Sequence, residues 1–370
     1  MHSTAFVYAL STIPGIGNKT LRRLVEHFGS GAAVWEADAA ALATVKGLGP
    51  KAIETLVARR AVIHPDQIWE EITRQGIDIL AFTDDRYPRL LKEIPDGPAL
   101  LYVRGNYSWE EKPLIAIVGS RKFTRYGEQA AYRFATDLAA AGYVVVSGLA
   151  FGIDAIAHKA ALEAGAETLA VLGGGIDDTS ISPRSHLPLS RAVMNAGALI
   201  SEYRPGTIAN EGTFPARNRI VAGMCLGTLI IEAAERSGAL ITTRLALDYN
   251  REVFAVPGSI FSPASLGTNN LIKAGAKIVT SVQDILEEFP LPEKTFTPHQ
   301  IAAPVKNNTL SPEEQKILKG LSYEPTHVDK IIKAARLETP SVISTLALLE
   351  IKGLVKNLGG MHYIKISNLR

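Results

Sequence analysis

Between residues 114 and 256, short apolar segments alternate with helix-length amphipathic segments, and this rhythm constrains the fold more than any other feature of the chain. Short apolar runs bounded by glycine or polar residues are typical of buried strands, and their alternation with helices indicates a parallel sheet. We therefore predict an α/β fold, a parallel sheet with helices on both faces. The predicted strands are Leu114–Val118, Tyr143–Ser147, Thr168–Leu172, Ala198–Ser201, Thr228–Ile231 and Glu252–Val256. The preceding segment, Asp78–Val103, is predicted to add short strands to this domain.

Residues 10–60 contain one pattern twice, Ile13-Pro14-Gly15-Ile16-Gly17 and Val45-Lys46-Gly47-Leu48-Gly49, each followed by a helical run. The glycines permit tight turns, and amide groups at the start of each following helix are suited to binding phosphate. The pattern predicts a helix-hairpin-helix (SAM-like) domain over residues 1–62. Packing of the hairpins against the rest of the chain is an equally open interpretation. The cations that follow the turns are Lys19, Arg22, Arg23 and Lys51.

The C-terminal part begins with a proline-rich stretch at residues 291–309, which predicts a linker between domain 63–290 and domain 310–370. A helix is predicted from Ser311, with Pro312 in its first turn. Two further helices, near His327–Ala335 and Pro340–Lys352, precede a glycine-containing segment, Val355–Ile366. This order is typical of a winged helix-turn-helix domain.

The composition narrows the class of protein without naming a partner. The net charge of +2 is too small to indicate a nucleic-acid partner, so any basic surface is expected to be confined to one region of the protein. The single cysteine, Cys225, excludes an internal disulfide framework, and we predict no metal site and no cofactor. The N-terminus lacks the basic region of a signal peptide, and the longest apolar stretch, Leu138–Ile153, is interrupted by glycines. We predict a cytoplasmic protein with no membrane association.

The loops that follow the predicted strands share one chemistry. The first strand is followed by Gly119-Ser120-Arg121, the second by a loop that contains Gly148 and Gly152, and the third by Gly173-Gly174-Gly175. In an open parallel sheet ligands bind at the carboxyl ends of the strands, and glycine lets the backbone approach them closely. The sequence brings to this edge a set of cations, named here the cation rim: Arg121, Lys122, Arg184, Arg217 and Arg219. One guanidinium group can bind two phosphate oxygens at once, so several of them along one edge suit a polyanion. For each single member of the cation rim, the alternative is an ion pair at the protein surface.

Two nucleotide-binding motifs are missing. Neither G-x-G-x-x-G after the first strand nor G-x-x-x-x-G-K-[ST] occurs, which disfavours dinucleotide binding and ATP hydrolysis. Asp154 and His158 lie one helical turn apart and have the spacing of an acid/base pair. Packing of His158, with Asp154 stabilising the start of a helix, is the favoured interpretation of this pair.

An ordered set of motifs across the central domain resembles the DprA/Smf family of bacterial DNA processing proteins. These motifs are Gly119-Ser120-Arg121, the run from Ser147 to Asp154, Phe214-Pro215-Ala216-Arg217-Asn218-Arg219, the run from Glu232 to Gly238, the run from Glu252 to Gly258, and Gly267-Thr268-Asn269-Asn270. The resemblance implies a Rossmann-like domain that forms a homodimer and binds single-stranded DNA without catalytic turnover. It also implies that the protein places RecA on strands coated by single-strand binding protein, as in natural transformation.

The resemblance also implies roles for residues. Arg121 is expected to contact DNA phosphate, Gly119 and Ser120 to shape the pocket, and Arg217, Asn218 and Arg219 to line it. Arg184, after Pro183, matches a basic position of the family. Around it the chain departs from the family pattern at Ser182 and His186, and Phe151 stands where arginine is common, offering an aromatic surface for a base.

Two other functions fit parts of the sequence. A nucleoside phosphate hydrolase would use Glu202 or Glu232 at the strand ends. The P-G-G-x-G-T-x-x-E loop of the related phosphoribohydrolases is not reproduced at Pro257-Gly258-Ser259. A transcriptional regulator would read duplex DNA with its third winged-helix segment, Pro340–Lys352, but that segment is mostly apolar. Contact of the winged helix with protein is the alternative.

Overall fold

The computed structural model describes residues 3–107, 109, 112–290, 310–322, 324–351 and 354–365. The chain divides into two compact units, one ending at Thr297 and the other beginning at Pro298. The predicted linker, residues 291–309, lies outside the described residues.

The first unit begins with a layer of helices. The glycines of the two repeated turns, Gly15 and Gly47, have left-handed φ angles of 86° and 82°, which side chains disfavour. Each turn leads directly into a helix, α2 or α5, as the sequence pattern predicts. The helices are α1 (Ser3–Ser11), α2 (Asn18–Phe28), α3 (Gly31–Glu36), α4 (Ala39–Ala43), α5 (Pro50–Arg60) and α6 (Pro65–Arg74).

The first of these turns packs against the α/β part of the same unit. Asn18 Nδ2 donates to the carbonyl of Gly97 at 3.1 Å, and Arg22 Nη1 donates to the same oxygen at 3.0 Å. The ring of Tyr8 in α1 packs edge-on against Tyr102, with 6.2 Å between ring centres. The helical layer and the sheet therefore share one hydrophobic core.

The α/β part is built on a mostly parallel sheet of nine strands within the described residues, in the order β1-β2-β6-β5-β4-β3-β7-β8-β9. Strand β2 pairs antiparallel with β1 and β6, and the other pairs are parallel. All six predicted strands are present, and β9 was not predicted. The strands are β1 (Asp78–Ala81), β2 (Leu100–Gly105), β3 (Leu114–Gly119), β4 (Val144–Ser147), β5 (Thr168–Val171), β6 (Ala198–Ser201), β7 (Gly227–Ile231), β8 (Glu252–Ala255) and β9 (Lys277–Ile278).

Helices cover both faces of this sheet, which confirms the predicted fold class. Because side chains alternate along a strand, Ile115 and Ile117 of β3 pack on one face while Ala116 and Val118 pack on the other. The first face is covered by α8 and α9, and the second by α11 and α12. The helices of this part are α7 (Arg89–Glu93), α8 (Arg125–Ala140), α9 (Ile153–Glu163), α10 (Leu187–Ala196), α11 (Thr213–Met224), α12 (Ala239–Asp248), α13 (Leu266–Lys273) and α14 (Gln283–Leu286).

The second unit is the predicted winged helix. Three helices pack around one apolar core beside a small sheet of order β10-β12-β11. Its elements are α15 (Pro312–Gly320), β10 (Thr326–His327), α16 (Val328–Ala335), α17 (Thr339–Ile351), β11 (Val355–Asn357) and β12 (His362–Lys365). Within the ranges given above, neither unit contains a helix long and apolar enough to cross a membrane.

A reciprocal pair of hydrogen bonds begins α15. The amide of Glu314 donates to Ser311 Oγ at 3.1 Å, and the amide of Ser311 donates to the Glu314 carboxylate at 2.8 Å. Such a capping box satisfies amide groups that the helix itself cannot bond.

Replacing this cap tests its contribution. We expect Ser311→Ala to cost about 1 kcal/mol of local stability and to accelerate amide hydrogen exchange in α15 about fivefold. Lys316→Ala, an exposed change in the same helix, is the control. Equal exchange in the two variants would contradict the assignment.

Candidate nucleic-acid interface

The carboxyl ends of β3 to β8 meet at one edge of the sheet, named here the carboxyl edge. Strand order runs outward from β3 in both directions, through β4, β5 and β6 on one side and β7 and β8 on the other. The gap between β3 and β7 is therefore the point where a doubly wound sheet usually binds a phosphate at a helix N-terminus. Here that helix is α8.

A carboxylate of the chain itself fills this position. Glu232 follows β7, is buried, and accepts a hydrogen bond from the amide of Thr124 at 2.8 Å as well as one from the Thr124 hydroxyl. Thr124 is the N-cap residue of α8. A negative charge at a helix N-terminus is stabilised by the helix dipole. The usual nucleotide phosphate position is thus occupied, in agreement with the missing dinucleotide motif.

Arg121 lies beside this filled position and is exposed. Its guanidinium carbon lies 5.6 Å from the ring centre of Phe214, the first aromatic residue of α11. Such a contact holds a cation over a ring without neutralising it. Lys122 is also exposed, and across the described ranges neither residue has an ion-pair partner. These two members of the cation rim have charges that a ligand can reach.

The backbone around Arg121 is closely packed. Ser120 Oγ accepts from the amide of Lys122 at 3.1 Å and donates to its carbonyl at 2.6 Å, which forms a tight turn after Gly119. The loop after β4 meets this turn at Gly152, where a Cβ would collide with the carbonyl of Ser120. Gly152 has a φ of 84°, so both space and conformation require glycine.

Arg217 lies inside the molecule, with 3% of its surface exposed. Its guanidinium donates to the carbonyl of Gly148 at 2.5 Å and to the carbonyl of Val171, and Nε donates to the side-chain oxygen of Asn218 at 3.1 Å. Burial lowers the pKa of Arg217, while Asp154 opposes this effect. The prediction that Arg217 lines an open pocket is corrected. The side chain is buried, and its donors bond to carbonyls in the loop after β4 and at the end of β5.

Arg219 forms a buried ion pair. Its Nη2 lies 2.5 Å from a carboxylate oxygen of Glu202, with side-chain exposures of 12% and 11%. Asp96 lies 3.9 Å from Nε. Burial raises the pKa of Glu202, and the neighbouring Arg219 counteracts this rise. The prediction of Arg219 as a member of an open rim is therefore corrected as well.

Arg184 is exposed on a short 3₁₀ helix, Arg184–His186, in the loop between β5 and α10, and donates to the carbonyl of Asp178. The same loop approaches the one after β4, because His186 Nδ1 lies 2.9 Å from the carbonyl oxygen of Leu149. The His186 ring also packs edge-on against Phe151, with 4.9 Å between ring centres. The loop in which Ser182 and His186 depart from the family pattern therefore lies at the carboxyl edge.

Asp154 and His158 do not form an acid/base pair. The carboxylate of Asp154 accepts from the amides of Gly148 at 3.1 Å and Ala150 at 3.4 Å. His158 Nδ1 instead lies 2.8 Å from Thr168 Oγ1. Burial, assisted by the charges of Arg217 and His186, lowers the pKa of His158 to about 3. Both side chains hold the β4 loop and its helix in place.

Sequence reasoning missed Phe214. The motif Phe214-Pro215-Ala216-Arg217-Asn218-Arg219 was interpreted through its arginines, but its aromatic residue contacts the exposed Arg121. The signal that could have identified it is an aromatic residue in the first turn of a helix whose arginines were predicted to reach the carboxyl edge.

Comparison with known proteins decides the family. The sequence model of DNA recombination-mediator protein A matches residues 78–290, more than half of the chain. This chain belongs to the DprA family. The DprA winged helix domain matches residues 302–361, and a SAM-like helix-hairpin-helix tandem matches residues 7–60. The resemblance drawn from the motifs is confirmed.

Relatives of the DprA family match over most of the chain. Protein Smf of Synechocystis is 36% identical, over 97% of this chain and 98% of the relative. The crystal structure of DprA from Streptococcus pneumoniae superposes with a TM-score of 0.70 at 36% identity, covering 79% of this chain and 100% of that one. A structure concerned with the single-stranded DNA binding mode of Helicobacter pylori DprA has a TM-score of 0.52 at 29% identity, covering 57% of this chain and 94% of that one.

The buried histidine predicts a pH effect on stability. His158 has a pKa of about 3 when folded, below the ordinary unfolded value near 6.5. The unfolded state therefore binds more protons, so the contribution of His158 is complete above about pH 6.5 and is lost as the pH falls towards 3. We expect His158→Gln to reduce the loss of unfolding free energy between pH 7 and pH 5, measured by urea denaturation. His64→Gln, at an exposed histidine, should leave the loss unchanged, and equal losses in both variants would refute the effect.

The Glu202–Arg219 pair predicts non-additive stability. Arg219→Met should lower the free energy of unfolding by about 3 to 5 kcal/mol, because Glu202 is left buried without its partner. Changing both residues to Met should recover most of this loss. A double variant as unstable in urea as the sum of the single variants would show that the pair is uncoupled.

Proposed function

We propose that this chain binds single-stranded DNA at the carboxyl edge of its sheet. The observation that carries the proposal is Arg121, an exposed guanidinium held over Phe214, with no carboxylate partner in the described ranges. Family membership supports it, as does the single-stranded DNA binding mode of the Helicobacter pylori relative. Phosphates approaching this edge meet cations that have not already been neutralised.

In the proposed site, some residues contact DNA directly and others only support the loops that do so. Arg121, Lys122 and Arg184 contact phosphates, since all three are exposed at the edge. Gly119, Ser120, Gly148 and Gly152 shape the loops between them. Arg217 and Asn218 support those loops from inside, and Arg219 stabilises the fold through Glu202.

The chain acts on DNA without catalytic turnover in this proposal. The hydrolase alternative needs a free carboxylate at the strand ends, whereas Glu232 accepts two hydrogen bonds from Thr124 and Glu202 is paired with Arg219. Turnover of nucleoside monophosphates that is abolished by Glu202→Ala or Glu232→Ala would revive that alternative.

The protein places RecA on strands coated by single-strand binding protein, during recombination and natural transformation. The family description as a recombination mediator supports this role. We further propose that the protein works in the cytoplasm as a homodimer. Exposed apolar residues toward the β9 end of the sheet, Ile241, Leu247, Leu266 and Ile278, support a self-association surface.

The regulator alternative finds no support in the winged helix. The exposed side chains described on α17 are Thr339, Pro340, Ile343, Ser344, Ala347, Leu348 and Glu350, and none of them is basic. A helix that reads base edges normally presents basic or amide side chains. Lys352, the basic residue at the end of the predicted helix, lies outside the described residues.

Removing the exposed cation tests the DNA proposal. We expect Arg121→Ala to weaken binding of single-stranded oligonucleotides about tenfold or more, because charge-assisted hydrogen bonds to phosphate are lost. The loss should be uniform across sequences, and the slope of log affinity against log salt should become shallower by about 0.7.

Fluorescence anisotropy over a salt series measures both quantities. Arg133→Ala, which removes an arginine paired with Asp137 on α8, is the matched control. If Arg121→Ala bound as tightly as the unchanged protein, the phosphate site would lie elsewhere.

A further inference from the structure

Two parts of the carboxyl edge, the segment that leads from β3 into α8 and the loop after β8, expose large apolar side chains. Phe123 and Tyr126, which follow β3, are 41% and 47% exposed, and Ile260 and Phe261, which follow β8, are 84% and 89% exposed. Single exposed apolar residues are common on protein surfaces, but clusters of them mark binding sites. We name Phe123, Tyr126 and Phe261 the aromatic platform.

A hydrogen bond joins these two parts of the carboxyl edge. The hydroxyl of Tyr126 donates to the carbonyl of Pro257 at 2.6 Å, which joins the start of α8 to the loop after β8. Asn269 anchors that loop from behind, since its side chain accepts from the amide of Gly258 at 3.2 Å and donates to its carbonyl at 3.1 Å. The loop that places Phe261 is therefore fixed at its base.

The segment that contains Phe123 and Tyr126 is cationic. Residues 119–127 include the cations Arg121, Lys122 and Arg125 and no carboxylate, and residues 256–262 are uncharged. The carboxylate of Glu232 also lies against this segment, but it is buried and accepts hydrogen bonds from Thr124. A ligand that fits this surface combines negative charge with flat apolar faces. Nucleobases joined by phosphates have both properties, whereas a duplex keeps its base faces stacked inside.

We propose that the aromatic platform stacks bases of the strand whose phosphate Arg121 binds, an inference that rests on the proposed function. Phosphate contacts alone do not distinguish one strand from two, because both carry the same backbone. The stacking surface supplies the preference for single strands. It is sequence-tolerant, because every base has a face to stack.

The test compares Phe123→Ala/Phe261→Ala with the unchanged full-length protein. We expect at least a tenfold loss of affinity for a single-stranded oligonucleotide, little change for the matching duplex, and an unchanged salt slope. An oligonucleotide with abasic sites at successive positions should bind the unchanged protein about as weakly as the intact strand binds the double variant.

Controls separate stacking from damage to the fold. Tyr132→Ala removes an exposed ring on α8 that bonds to Glu163, away from the aromatic platform, and should bind as the unchanged protein does. Phe261→Trp should retain the preference for single strands. If the double variant is unstable, Phe261→Ala alone keeps the test decisive, because that side chain is almost fully exposed.

The outcomes distinguish the two proposals. If the unchanged protein does not bind single strands, or binds them independently of Arg121, the proposed function fails. If binding depends on Arg121 but the double variant keeps full affinity, or loses single-strand and duplex affinity equally, the stacking inference is overturned and the exposed rings serve a protein partner instead.

Discussion

The buried guanidinium of Arg217 is the interaction on which the carboxyl edge depends. It extends from α11 beneath the sheet edge and bonds to the carbonyls of Gly148 and Val171, so one side chain links the ends of β4 and β5. A buried charge is tolerated only when its donors are satisfied and an opposite charge is near, and Asp154 supplies that charge. Arg217 therefore positions the loop that contains Gly152. That loop in turn packs against the turn at Arg121.

The cations at the edge fall into two physical classes. Arg217 is buried, with its donors bonded to carbonyls and to Asn218, and Arg219, whose side chain is 12% exposed, is paired with Glu202. Arg121 and Lys122 are exposed, so a phosphate can reach them without breaking an internal ion pair. Internal arginines of the first class give the exposed ones a fixed frame, which reduces the ordering needed on binding.

Much of the fold could be predicted from local patterns. Apolar runs of strand length, repeated glycine turns and the order of the last three helices led to the sheet, the hairpins and the winged helix. The two-residue strand β9 is too short and too polar, Lys277–Ile278, to stand out from a loop. The exposed Arg121 was also anticipated, since glycine and arginine directly after a strand indicate a ligand-binding turn. The contact of Phe214 with Arg121 was not, because it joins residues far apart in the sequence.

The sequence alone determined the order of elements and the residue types delivered to the carboxyl edge, because strand period, turn chemistry and motif spacing are local properties. Only the tertiary structure decided which arginines stay exposed and which form buried hydrogen bonds or ion pairs within the protein. That choice depends on which carbonyl or carboxylate lies within hydrogen-bond distance after packing, as Glu202 does for Arg219. Arginines that the sequence brings to the same sheet edge thus receive different roles, because burial changes the free energy of an unpaired charge far more than sequence position does.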